Sequence, residues 1–134
     1  MPIPAEVDDL EKNLNRLLKE LGIKKTIIHN SLNKIEKQRE AIKEARYVVK
    51  VCHERLKQLT VCDLVSLEAY KKLRLLVEIN EDLLLQNQFD LMDSLQEKVK
   101  SEQAIPQIEE MISEVRKALS EWGQLLQFPI QPSS

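Results

Sequence analysis

Apolar residues recur at alternating spacings of three and four along nearly the whole chain. Val7, Leu10, Leu14, Leu17 and Leu21 form the first such stripe, a spacing that gathers side chains on one face of an α-helix. Pro4 suits a first helical turn, and Glu6, Asp8 and Asp9 favour the positive end of the helix dipole. Gly22 stands where a left-handed C-terminal cap ends a helix. The pattern therefore predicts a first helix over about 4–21.

A second helix is predicted over about 25–59. Ile28, Ile35, Ile42, Val49 and Leu56 repeat every seven residues. Ser31, Gln38, Ala45, Cys52 and Leu59 form a companion row, polar at first and apolar from Ala45 onward, which together make a coiled-coil heptad pattern. Beyond Leu59 the same rows reach Asp63 and Ser66, so the stripe is lost. Thr60 and Val61 are β-branched, and Thr60-Val61-Cys62-Asp63 reads as a capping box. These residues place a tight turn near 60–63; one uninterrupted helix from Lys25 to Gln103 is the alternative.

A third helix follows over about 64–103. Its first half is dense in apolar residues, among them Leu67, Leu73, Leu75, Leu76, Val77, Ile79 and Leu83 to Leu85, and its second half narrows to Phe89, Met92, Leu95 and Val99. Asn80, Asn87, Ser94 and Ser101 recur every seven residues and read as a solvated face. Pro106 suits the start of a fourth helix over about 106–127, whose seam is Ile108, Ile112, Val115, Leu119, Trp122 and Leu126. The last residues, 128–134, contain Pro129 and Pro132 and read as a flexible tail.

The expected fold is all-α: an antiparallel four-helix bundle in one domain, residues 1–127, with two short outer helices and a long, coiled-coil-like central hairpin. Short loops make sequential helices antiparallel neighbours. At 1.5 Å per residue the central helices reach roughly 50–60 Å and the outer ones about 25–33 Å. The short helices then cover one end only, leaving an arm of about residues 43–82 with nothing over it. That arm is the most apolar stretch of the chain, and an uncovered apolar patch marks an interface. The candidate partner-binding residues are Val48, Val51, Leu64, Leu67, Leu75 and Leu76.

Composition narrows the function classes. Two glycines in 134 residues leave no phosphate-cradling loop and few turns for a sheet. A net charge of −2 argues against general nucleic-acid binding, and the basic residues between Lys34 and Lys57 alternate with Glu36, Glu40, Glu44 and Glu54. Residues 23–59 are net positive and residues 60–104 net negative, which helps the two central helices choose each other. No apolar run is long enough to span a membrane, and the first residues carry no signal-peptide pattern. A cytoplasmic or nuclear location is expected.

No catalytic, cofactor or metal residues are expected. Cys52, His53, Cys62 and His29 show no metal-ligand spacing. Cys52 and Trp122 read as core residues and His53 as a surface one. The expected function is a non-enzymatic protein–protein interaction module, a scaffold, adaptor or assembly subunit, that binds a protein partner or dimerises through the arm. The alternatives are a chaperone or assembly factor that holds a client transiently on the same surface, and a nucleic-acid-linked regulatory subunit using the second helix.

Overall fold

The computed structural model describes residues 4–126, and among them the chain is all-helical with no strand. Two long helices pack against each other: α1 (Ala5–Gln58, 54 residues) and α2 (Leu64–Leu126, 63 residues). The expected turn does separate them, at residues 59–63. The expected breaks at Gly22 and Pro106 do not occur, so two helices stand where four were anticipated. The tail expected over 128–134 lies outside the described residues.

Phase explains the missing break at Gly22. Val7, Leu14 and Leu21 stand in the same seven-residue row as Ile28, Ile35 and Ile42, and a turn would have reset that row. Gly22 is exposed, and a Cβ added there meets nothing within 4 Å. The Thr26 hydroxyl donates to the Gly22 carbonyl at 2.9 Å, back along the same helix.

The same holds at Pro106, which lies inside α2 with its ring exposed. Proline there removes one backbone donor and costs about 3 kcal/mol in an isolated helix. Around it Ala104, Ile108 and Ile112 all belong to one packed apolar cluster, and that tertiary packing carries the helix across.

The two helices contribute to two compact units. In the first, α1 up to Asn30 packs on α2 from Glu97 onward. Val7, Leu14 and Leu17 bury against Ile108, Ile112, Val115 and Leu119, with Leu10, Leu21 and Trp122 partly buried around them. Leu14, Leu17 and Leu119 are at most 1% exposed, and each fully buried leucine contributes about 1.5–3 kcal/mol.

The second unit, Ser31–Gln96, has a more polar seam. Ile35, Ile42, Ala45, Cys52 and Val77 are buried, and so are Ser31 and Ser94. Asn80 and Asn87 are half-buried. Each turns its amide back onto its own helix, donating to the carbonyls of Leu76 at 2.8 Å and Leu83 at 2.7 Å. The row Asn80, Asn87, Ser94 therefore lies in the seam, not on a solvated face. In the first unit Ser101 is likewise buried. These residues tolerate burial because they are small or bond within their own helix. Gln38, also half-buried, keeps its Oε1 buried with no hydrogen-bond partner.

At the turn, the capping box falls three residues later than expected. The Ser66 N–H donates to Asp63 Oδ1 at 2.8 Å, and the Asp63 N–H donates to Ser66 Oγ at 3.1 Å. The Cys62 N–H also donates to Ser66 Oγ, at 3.0 Å. Aspartate here is the N-cap and serine its reciprocal partner. Bonds from the Ser66 N–H and hydroxyl hold the Asp63 carboxyl below the ordinary value of 3.8.

Two expected outcomes test these readings. Gly22→Ala should stabilise the protein by about 0.5–1 kcal/mol in urea unfolding, because the glycine is an exposed helix-interior residue; a left-handed cap would lose stability instead. Asp63→Ala should lower the melting temperature at neutral pH. Since folding depresses this pKa, the cap's stabilisation is complete above the ordinary aspartate range and is lost as pH falls through the folded pKa. The gap between variant and wild type should accordingly close as pH drops below 3.8.

Candidate protein-interaction surface

Within the second unit α2 carries two stripes on opposite sides. The inner one runs through Val77, Asn80, Leu84, Asn87, Leu91 and Ser94, buried or half-buried. At 100° per residue, Leu75, Asp82 and Phe89 fall on the far side of the helix, flanked within about 60° by Ile79, Leu85 and Met92. All five apolar residues of that outer set are exposed, Leu75 at 56% and Phe89 at 57%. Leu76 and Leu83 are exposed along one edge of it. The helix therefore turns Asn80, Asn87 and Ser94 inward among Val77, Leu84 and Leu91, and leaves Leu75, Ile79, Leu85, Phe89 and Met92 outward.

The residues expected to bind a partner divide into two groups. Leu64, Leu75 and Leu76 are exposed, Leu64 at 79%. Val48 and Val51 on α1, and Leu67 on α2, are half-buried. Ile79, Leu83, Leu85, Phe89 and Met92 were absent from that set. Beyond about residue 82 a short fourth helix was expected to cover the third. That helix is instead the continuation of α2, and the described residues of this unit hold no third helix to lie over the outer stripe. The signal was available in the spacing of Leu75, Ile79, Leu85, Phe89 and Met92, which is out of phase with the Val77–Leu84–Leu91 row.

Charge along this face is ordered. Lys71 and Lys72 lie at its N-terminal end, Glu78 and Asp82 near its middle, and Asp93 at its C-terminal end. All of them are exposed. A separate groove in the same unit, lined by Arg39, Ile42, Lys43, Arg46, Gln88 and Leu91, is basic along its α1 wall.

The two thiols and His53 lie apart from the outer stripe. Cys52 is buried and Cys62 exposed, both as free thiols. His53 Nε2 lies 3.8 Å from Glu81 Oε1, an ion pair between the helices when the imidazole is protonated. Among the described residues no three His, Cys, Asp or Glu side chains gather closely enough to hold a metal ion. No described helix is long and apolar enough to cross a membrane. Compared with protein-family models, curated proteins and solved structures, the chain matches none of them.

Substitutions should separate the two stripes energetically. In dilute solution, Leu85→Gln and Phe89→Gln should each change the unfolding free energy by no more than about 0.5 kcal/mol, as exposed positions do. Leu14→Ala, at a fully buried site, should cost about 2–5 kcal/mol. Chemical denaturation monitored by circular dichroism reads both.

Proposed function

We propose that this chain is a non-catalytic protein–protein interaction module that works through the outer face of α2. The observation that carries this reading is the exposed stripe Leu75, Ile79, Leu85, Phe89 and Met92 opposite the seam. An isolated surface leucine is ordinary; a stripe of large apolar residues along nearly five turns is what an amphipathic helix presents to another helix. Phe89 and Met92 are residue types enriched at such interfaces. Within this reading a scaffold or assembly subunit holds its partner stably on the stripe, and the four-helix packing expected from the sequence arises only when helices from outside the chain join the hairpin.

Site-specific photo-crosslinking in cells tests the proposal. A benzophenone amino acid at Phe89 or Leu85 should give discrete protein adducts of higher mass, whereas the same group at exposed Glu40 on α1 should give none. If neither Phe89 nor Leu85 yields an adduct above the Glu40 background, the outer face of α2 is not the working surface.

A further inference from the structure

The outer stripe has a property that an arbitrary partner would not require: apart from Met92, whose mirror position is Lys72, its apolar positions fall symmetrically about a single midpoint. About Asp82 as midpoint, Leu75 mirrors Phe89, Ile79 mirrors Leu85, and Glu78 mirrors Gln86. One step further out Lys71 mirrors Asp93. All these positions share the far side of α2 within about 60°. We propose that the occupant of this face is a second copy of the chain, docked antiparallel across a two-fold axis at Asp82. The inference rests on the interaction reading above and names its partner.

Charge selects the antiparallel arrangement. A two-fold pairing of parallel helices puts every residue opposite itself, stacking Lys71, Glu78, Asp82 and Asp93 on like charges. Antiparallel pairing sets Lys71 against Asp93 twice, at both ends of the contact, and Glu78 against neutral Gln86. Only Asp82 then meets its own copy. The apolar pair Leu75–Phe89 occurs twice, once on each side of that one repulsive centre, with Ile79 and Leu85 lining the flanks of the contact. Isologous pairing of this kind is the commonest closed arrangement of identical chains.

The acidic centre keeps the association modest, since like charges facing each other across an interface are costly.

The test uses the purified 134-residue chain in sedimentation equilibrium. Wild type at about 100–200 µM should show a mass near twice 15.6 kDa, as expected of an interface at the small end of the stable range. Asp82→Asn should tighten the dimer by about threefold or more by removing the central repulsion. Lys71→Glu and Asp93→Lys should each weaken it by about threefold or more, and the double variant K71E/D93K should restore it. Residues 71 and 93 are about 33 Å apart on one helix, so restoration cannot come from a pair within one chain. Circular dichroism confirms that these surface variants stay helical. A monomeric wild type overturns the proposal, as does a dimer that K71E/D93K fails to restore. A monomer whose Phe89 crosslinks to some other protein loses the second-copy inference and keeps the interaction reading; absence of every adduct removes both.

Discussion

Two helices packed side by side can cover only one stripe on each other. Residues within roughly 60° of the contact line are shielded, and the remaining two thirds of each helix face outward. In the unit of α1 up to Asn30 and α2 from Glu97, this constraint is met simply: Leu14, Leu17, Ile112 and Leu119 fill the single seam, and the stripe is as apolar as the geometry asks. In the unit Ser31–Gln96 the constraint is met differently. The seam accepts serine, asparagine and glutamine, while large apolar residues occupy the side that no element of the unit covers.

That inversion links packing to function. A seam containing Ser31, Ser94, Asn80 and Asn87 gains less from burial than one of leucines, because apolar area is what burial rewards. Self-satisfaction of the two asparagines within α2 limits the penalty, whereas the orphaned Gln38 Oε1 does not escape it. Such polar core positions are a known device for fixing register where apolar ones would permit sliding. The apolar area that the seam forgoes is present on the same helix, facing away, where it can act only on something outside the unit.

The turn at 59–63 is what makes the hairpin. Its closure depends on local hydrogen bonding, with Asp63 and Ser66 capping each other and Cys62 drawn onto the same hydroxyl. Leu59 still donates back to Arg55 at 3.0 Å, so helical hydrogen bonding runs one residue past Gln58 into the turn. The exposed Cys62, in this turn, lies outside both stripes.

By itself the sequence determined the helical class, the two apolar seams of the first unit and the turn after Leu59, because each rests on local spacing or local capping chemistry. It also determined that residues near Leu75 and Leu76 would stand uncovered. Gly22 and Pro106 misled for a shared reason: they are signals of local preference, worth about 1 and 3 kcal/mol, and a stripe packed continuously on its partner outweighs them. The row Asn80, Asn87, Ser94 and Ser101 misled because a seven-residue recurrence marks a fixed face without saying which one. Polarity suggested water, but only the tertiary structure decides which side meets α1. There the small polar residues face inward, and Leu75, Ile79, Leu85, Phe89 and Met92 are left to the outside.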